Sequence, residues 1–281
     1  MPDRGNRVGS KGFQNFEGAV AVVTGGSSGI GQGIAQALVL RGAHVVIVSN
    51  DEERLCKAAA ATGAVPMVAD VSNRKAMLQL AADVMAKYGT VNILCNNAGV
   101  GPVAAIQDLT HDDWQWMIGV NLWGVIHGIE AFLPHLLAAP RGGQIVNTAS
   151  LAGLWSVAKL GSYSAAKAAV IAMTEALHLE LQASDAQVGA TVLCPGPVHS
   201  EIKSSLRNRQ GTGALADIDI ANIFPPEVIR TPAQIALQVI DAIEHNHLYI
   251  LTHPELSSAL DLRHQNLLAA FERAKSWTGI G

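Results

Sequence analysis

The sequence has 281 residues, of which 49% are hydrophobic and only 15% are charged. This supply of apolar side chains suits one α/β domain whose sheet is buried on both faces, and no linker-like stretch divides the chain. The net charge is −4 and the basic residues form no patch, which argues against a nucleic-acid-binding protein.

The chain begins with a polar stretch, residues 1–15, that no apolar run follows. We interpret it as a flexible tail and not as a signal peptide, and take residues 16–281 as a single domain. No uncharged apolar run approaches the ~18 residues that a membrane span needs. The three cysteines, Cys56, Cys95 and Cys194, are far apart, as in a reduced protein without disulfides. We therefore expect a soluble, cytoplasmic protein.

Short, nearly continuous apolar runs alternate with longer helical patterns along the chain. The apolar runs lie at 19–24, 44–49, 65–69, 92–96, 144–148, 190–194 and 248–251. The helical patterns lie at 29–41, 52–62, 73–88, 112–138, 162–183 and 232–246, the last beginning at the cap-like pair Thr231-Pro232. This alternation predicts a doubly wound (Rossmann) parallel sheet of about seven strands with helices on both faces.

A glycine-rich turn joins the first predicted strand to the first helix. Glycines allow a tight turn and a close approach of the backbone to a pyrophosphate, and the helix N-terminus supplies free N–H donors. In this position the motif predicts a dinucleotide site. Its contacts would come from Gly25, Ser27, Ser28, Gly29, Ile30 and Gly31.

In a dinucleotide-binding fold, the end of the second strand contacts the ribose of the cofactor. Ser49 stands where a carboxylate would bind the 2′-hydroxyl of NAD, and Asn50 stands where an arginine could grip a 2′-phosphate. Asp51 falls at the start of the next helix and is interpreted as its cap. The missing carboxylate slightly favours NADP over NAD, and both stay open.

The third and fourth strands end in further candidate cofactor contacts. Asp70 and Val71 close the third strand, where an aspartate can meet the adenine amino group, although a helix cap is the alternative for Asp70. The small residues Asn97, Ala98 and Gly99 close the fourth and would let the cofactor lie across the strand ends.

Tyr163 and Lys167 are four residues apart in a helical pattern, so both side chains project from one face. A nearby ammonium group favours the phenolate and makes tyrosine usable as a general acid/base. Ser150 ends the fifth strand, where its hydroxyl can bond the reacting oxygen. Taken alone, a Tyr-x-x-x-Lys pair more often lies on a helix surface.

Together these features resemble the classical short-chain dehydrogenase/reductase family over residues 17–252. The motifs occur in family order: residues 24–31, Asp70, Asn96 to Gly99, Asn121, Ser150, Tyr163 to Lys167, and Pro195-Gly196. The resemblance implies catalysis by Ser150, Tyr163 and Lys167, with Asn121 holding a water that links Lys167 to solvent. It also implies cofactor contacts from Tyr163 and Lys167 and from the segment Pro195, Gly196, Val198 and Ser200. The basic residues that NADP-preferring members carry beside the glycine turn are absent at Ser27 and Ser28.

A narrower resemblance involves residues 145–154, 168–172 and 195–197. It is to a bacterial subgroup that includes the Cα-dehydrogenases of lignin-derived β-aryl ethers, and it implies a bulky, apolar or aryl secondary alcohol. Candidate substrate contacts flank the catalytic residues: Gly101, Leu151, Leu154 and Trp155. The irregular segment 197–230 is expected to shape the substrate site, and 254–276 to form an amphipathic helix.

The leading hypothesis is a nicotinamide-dependent alcohol dehydrogenase or ketone reductase. Alternatives are a β-ketoacyl reductase acting on a carrier-bound thioester, a sugar-nucleotide epimerase, and a non-catalytic cofactor-binding regulator. The ten histidines show no metal-ligand spacing, so no metal is expected. Trp114, Trp116 and Trp123 lie in a pattern that often packs at a subunit interface in the family, which implies a homo-oligomer, either a tetramer or a dimer.

Overall fold

The computed structural model describes residues 12–209, 213–218, 220–275 and 277. Among them, seven strands form one parallel sheet in the order β3-β2-β1-β4-β5-β6-β7. The strands are β1 (Val20–Thr24), β2 (His44–Ser49), β3 (Val65–Val68), β4 (Ile93–Asn96), β5 (Gly143–Thr148), β6 (Val188–Cys194) and β7 (Tyr249–Leu251). The single-domain Rossmann prediction is therefore confirmed, and the strand order reverses between β1 and β4.

Helices cover both faces of the sheet. They are α1 (Gly29–Val39), α2 (Glu52–Thr62), α3 (Arg74–Tyr88), α4 (His111–Ile118), α5 (Gly124–Ala138), the single turn α6 (Leu151–Leu154), α7 (Gly161–Ala183), α8 (Pro232–His245) and α9 (Ser258–Lys275). Short 3₁₀ turns occupy Ile106–Asp108, Glu201–Asn208, Ile220–Asn222, Pro226–Val228 and Pro254–Leu256.

The alternation of side chains along the strands divides the core into two layers. Val23 and its neighbour Ile47 belong to the layer beneath α1 and α8, with Ile34 of α1 and Ile235 of α8. Val22, Val46 and Leu94 face the other way, towards α3, α5 and α7, where Met77, Phe132 and Leu177 are buried. Because both faces are covered, the strands contain no Asp, Glu, Lys or Arg.

The helix starts follow the predicted capping chemistry. Asp51 caps α2 by accepting a hydrogen bond from the backbone N–H of Arg54 at 3.1 Å, which confirms its interpretation as a cap. Thr231 caps α8 in a reciprocal pair with Gln234, ahead of Pro232 at the first helical position. Asn73, and not Asp70, caps α3.

Two predicted boundaries differ from the structure. The pattern at 112–138 forms α4 and α5, separated by a π-helical turn at Gly119–Trp123. Residues 1–11 of the predicted tail lie outside the described residues, but Phe13 is buried, bonds the carbonyl of Ile243 through its N–H at 2.9 Å, and packs edge-on against Phe16. The predicted tail is thus too long, because Phe13 is already packed against the domain. The structure has a helix, α9, within the predicted range 254–276, and none of its described side chains is buried.

One described helix, the continuous stretch His111–Ala138, is long and apolar enough to cross a membrane by length and composition alone. The helix contains Asp112, Asp113 and Glu130, so it is not the uncharged run whose absence the sequence predicted. It is weak evidence for a membrane, because 44% of its most apolar window is buried within the fold, as in a core helix. All three cysteines are free, with Cys95 and Cys194 buried and Cys56 exposed. Trp114 and Trp116 are half-buried, whereas Trp123 is half exposed.

Candidate active site

The glycine-rich turn lies at the carboxyl end of β1 and is packed too tightly for side chains. Gly25 has a φ of +66°, and a Cβ there would lie 2.8 Å from the Cα of Ala98. A Cβ at Gly31 would lie 2.6 Å from the side-chain nitrogen of Asn97. The Thr24 hydroxyl oxygen accepts hydrogen bonds from the backbone N–H of Asn97 (2.9 Å) and Ala98 (3.1 Å), which binds the ends of β1 and β4 together.

The N-terminus of α1 is open towards the cleft that the turn forms. Its N-cap, Ser28, makes no side-chain capping bond, and the first turn of the helix contains no acidic residue. The N–H donors of that turn are therefore left for an external anion, with the helix dipole favouring negative charge. The cradle of glycines and these open donors together fit the pyrophosphate of a dinucleotide.

The ribose end of the cleft lies between β2 and α2. The Ser27 hydroxyl donates to the Ser49 hydroxyl at 3.2 Å, and Ser49 also accepts from the backbone N–H of Asp51. Arg54, which the sequence reasoning missed, lines the same wall and lies 3.3 Å from a carboxylate oxygen of Glu201. Arg54 belongs to the first turn of α2, and only the fold brings it to the ribose position.

Asp70 lies on the wall next to this region and is exposed. One of its carboxylate oxygens accepts from both the N–H (2.9 Å) and the hydroxyl (2.8 Å) of Ser72. The side chain therefore forms a local turn, and the alternative of a helix cap is wrong. Its contact with adenine stays a prediction.

The catalytic candidates meet where β5 ends and α7 begins. The buried Lys167 ammonium donates to the backbone carbonyl of Thr148 at 2.9 Å and lies 5.6 Å from the centre of the Tyr163 ring. Burial lowers the pKa of Lys167 to about 8. Burial raises the pKa of Tyr163 to about 12, partly opposed by a hydrogen bond from Ser150. In this chain alone the phenol stays protonated at neutral pH, so ionisation needs additional positive charge nearby.

Asn121 lies in the π-helical turn and is fully buried. Its amide nitrogen donates to the carbonyls of Val100 (2.9 Å) and Met117 (3.0 Å), and its amide oxygen accepts from the N–H of Val100 (3.2 Å). A Cβ at Gly99 would lie 3.0 Å from that oxygen and 3.5 Å from the Lys167 ammonium. Asn121 thus fixes the loop beside Lys167, while its water contact stays a prediction.

The loop after β6 passes next to the catalytic group. The carbonyl of Pro195 accepts from the backbone N–H of Leu151 (3.0 Å) and from the hydroxyl of Ser150 (3.4 Å). Farther along, Ser200 packs on the glycine turn, since a Cβ at Gly29 would lie 2.9 Å from the Ser200 Cβ. This loop closes the cleft opposite β1.

The residues that follow this loop, from Ser200 to Asn208, contribute to the wall of the cleft, and this part of the chain is anchored at several points. Ser205 is buried and its hydroxyl accepts from the N–H of Gly101 at 3.2 Å. Farther along, the Arg209 guanidinium forms an ion pair with the fully buried carboxylate of Asp113 and lies 5.6 Å from the centre of the Trp116 ring. Burial raises the pKa of Asp113, but hydrogen bonds from Thr110 and the charge of Arg209 outweigh this and lower it below its usual value.

Most of the predicted cofactor residues line one cleft. The lining includes Gly25, Ser27, Ser28, Gly29, Ile30, Ser49, Asn50, Asp70, Val71, Asn97, Ala98, Gly99, Tyr163, Lys167, Pro195 and Ser200. The sequence reasoning missed a second group that also lines it, including Arg54, Trp116, Glu201, Ile202, Ser205 and Arg207.

Three predicted substrate residues lie elsewhere. Leu151 is buried in a third hydrophobic cluster, and the half-buried Leu154 and Trp155 pack against it. Gly101 does face the catalytic group, because a Cβ there would meet Ile202 at 3.0 Å and the Tyr163 ring at 3.6 Å. Ile202 is therefore a better candidate for the substrate wall than Leu154 or Trp155.

A family model described as short chain dehydrogenase matches residues 19–211 of this chain. Among curated proteins, a C alpha-dehydrogenase of Sphingobium sp. strain SYK-6 is 33% identical over 91% of this chain and 87% of its own. A CLA biosynthesis dehydrogenase/reductase of Lactiplantibacillus plantarum is 29% identical over 89% of this chain and 93% of its own.

Solved structures of similar proteins also superpose on this chain. A short chain dehydrogenase/reductase of Burkholderia phymatum in complex with NAD superposes with a TM-score of 0.84 at 33% identity, covering 91% of this chain and 96% of that one. The apo form of LigD from Sphingobium sp. strain SYK-6 has a TM-score of 0.76 at 32% identity, covering 90% of this chain and 97% of that one.

Proposed function

The chain belongs to the short-chain dehydrogenase/reductase family of oxidoreductases, and from this premise we propose that it interconverts a secondary alcohol and a ketone with a nicotinamide cofactor. The observation that carries the proposal is the convergence of Ser150, Tyr163 and Lys167 beside a cleft whose glycine turn fits a pyrophosphate. Bound there, the nicotinamide would exchange a hydride with the substrate carbon.

The protein's own residues would transfer the proton to and from the substrate oxygen. Tyr163 gives its phenolic proton to the substrate oxygen in reduction and takes it back in oxidation. Ser150, whose hydrogen bond already opposes the raised pKa of Tyr163, steadies the same oxygen. Lys167 favours the phenolate by its charge and, with a pKa of about 8, can itself exchange protons near neutral pH.

The substrate that fits is bulky and apolar or aryl. Near Tyr163 the wall is built from Gly101 and Ile202, and Trp116 lines the cleft farther along. Arg209, at the edge of this region, is already neutralised by Asp113. The similarity to a C alpha-dehydrogenase supports the same substrate class.

Either NAD or NADP is compatible with the proposal. The relative bound to NAD supports NAD, whereas the lack of a carboxylate at position 49 supports acceptance of a 2′-phosphate. Arg54 lines the same end, but it is already paired with Glu201 at 3.3 Å. We further propose that the protein is a cytoplasmic homo-oligomer, a dimer or a tetramer. The exposure of Trp123 on the outer face supports an interface there.

A panel of benzylic and aliphatic secondary alcohols, each with NAD or NADP, tests the proposal through nicotinamide absorbance. We expect turnover with benzylic substrates at higher kcat/KM than with small aliphatic ones. Tight NADH binding without turnover of any alcohol or ketone would instead support a cofactor-binding regulator. Turnover confined to carrier-bound thioesters would support a β-ketoacyl reductase.

A further inference from the structure

His253 lies two residues after the end of β7 and joins separate segments of the chain. Its side chain is buried, with only 2% of its surface exposed. The imidazole packs closely against Gly196, where a Cβ would lie 2.7 Å from both the Cγ and the Nδ1 of the ring. Nothing in the sequence pattern distinguishes this histidine from the nine others.

The hydrogen bonds of the ring hold it on both sides. The backbone N–H of Gly196 lies 3.2 Å from both Nδ1 and the Thr252 hydroxyl oxygen, and that hydroxyl lies 2.6 Å from Nδ1. Nε2 lies 3.0 Å from the backbone carbonyls of both Pro197 and Val228. A carbonyl can only accept, so Nε2 carries a hydrogen.

The charged groups that face the ring are Arg230 and Glu255, which form an ion pair with each other at 2.8 Å. Burial lowers the pKa of His253 below its usual value and Arg230 acts in the same direction, while Glu255 and the hydrogen bonds to the carbonyls of Val228 and Pro197 oppose it. Burial therefore favours the neutral ring, with its one hydrogen on Nε2 facing the two carbonyls.

Pro197 and Val228 lie near the two ends of the segment 197–230, whose first part, from Ser200 to Asn208, contributes to the wall of the cleft. These ends also bond each other: the Arg230 N–H donates to the Pro197 carbonyl, and the His199 N–H donates to the Arg230 carbonyl, both at 3.0 Å. We call residues 197–199 together with 228–230 the stem. The stem leads directly into Ser200, which packs on the glycine turn, and into Ile202, which faces Gly101.

We propose that His253 is a positioning residue that, as a neutral imidazole, clamps the stem and the Gly196 turn together and so sets the wall of the cleft against the cofactor. The functional part of this inference rests on the proposed dehydrogenase activity. The structural part does not, because it concerns contacts within the chain.

Two substitutions of His253 distinguish the hydrogen bonds at Nε2 from those at Nδ1. His253→Gln places an amide N–H near Nε2 and can still donate to the stem carbonyls, but it offers no acceptor near Nδ1. His253→Leu keeps much of the volume and loses every hydrogen bond. His178→Leu is a matched control, because His178 is another buried histidine that bonds a backbone carbonyl, that of Ala190 at 2.9 Å, on α7.

Hydrogen exchange of the apoprotein, followed in peptides covering 195–202 and 226–232, measures the clamp without any turnover. In His253→Leu we expect exchange to accelerate about tenfold or more in both peptides, from the loss of buried hydrogen bonds. In His253→Gln we expect the 226–232 peptide to stay near the wild-type rate. His178→Leu should leave both peptides unchanged.

NADH titration and steady-state kinetics complete the test. His253→Leu should weaken NADH binding and raise KM for substrate more than it lowers kcat, and His253→Gln should recover part of both losses. Wild-type exchange rates in both peptides of a folded His253→Leu protein would overturn the proposal. If the exchange result holds but wild-type protein neither binds NADH nor turns over substrate, the clamp stands and the proposed activity falls.

Discussion

Replacing Gly196 by alanine tests the packing around the loop that follows β6. The backbone of Gly196 is not left-handed, so alanine is strained only by what its Cβ would meet. That Cβ would lie 2.7 Å from the Cγ and Nδ1 of His253, a ring held in place by bonds from Gly196 and to Pro197 and Val228. The ring can move away from such a Cβ only by breaking hydrogen bonds.

The cost follows from two terms. Overpacking a filled site costs about 1–3 kcal/mol, and a buried polar group left without its partner costs about 1–3 kcal/mol more. At about 2–4 °C per kcal/mol for a chain of this size, Gly196→Ala should lower Tm by roughly 4 °C or more.

Thermal unfolding of the apoprotein is the assay, with NADH titration alongside. Gly119→Ala is the matched control, since its Cβ would meet only the Ser72 Cβ at 3.8 Å, which is ordinary contact. The control should leave Tm unchanged or slightly higher. A Gly196→Ala protein with wild-type Tm and wild-type NADH affinity would refute the reasoning.

Three further predictions concern stability and reactivity. Arg209→Gln leaves the buried Asp113 carboxylate without its cation, and because breaking a buried pair costs about 3 kcal/mol or more, Tm should fall by about 6 °C. The control Arg74→Gln removes an exposed ion pair with Glu130 and should change Tm little. Equal effects of the two substitutions on Tm would contradict this. Burial raises the pKa of Cys95 and Cys194 to about 12, so a thiol reagent at pH 8 should modify one thiol, the exposed Cys56, in native protein and three after denaturation. The pKa of His253 is lowered in the fold, so the neutral ring stabilises the protein fully above the ordinary pKa of 6.5, and this stabilisation is lost as the pH falls through the lower folded value. Between pH 7 and pH 5 the free energy of unfolding of wild type should therefore drop more than that of His253→Gln. Parallel profiles of the two proteins would exclude the effect.

The parts of the candidate site that the sequence brings together as the structure does are those set by local chemistry. The run from Thr24 to Gly31 needs glycines at fixed positions, and a strand followed by a helix puts them at the sheet edge. The pair Tyr163 and Lys167 is set by one turn of α7. Apolar strands without alternation predicted a sheet covered on both faces, which is what the two core layers require.

The missed parts depend on contacts between residues far apart in the chain. The Asp113–Arg209 pair and the His253 contacts join segments that no spacing relates. Leu154 and Trp155 follow Ser150 closely, yet the turn of α6 carries them into a separate cluster. Phe13 belongs to a stretch that is polar on average, yet it is buried in the same core layer as residues of α8, and its N–H bonds the carbonyl of Ile243.

The central claim is that Tyr163 moves the proton, and Tyr163→Phe tests it most directly. General acid/base groups contribute about 10²–10⁴-fold to rate. With a benzylic alcohol that wild type oxidises, we predict that kcat falls at least about a hundredfold, while NADH affinity and Tm stay close to wild type. Turnover retained within a few-fold of wild type would contradict the account.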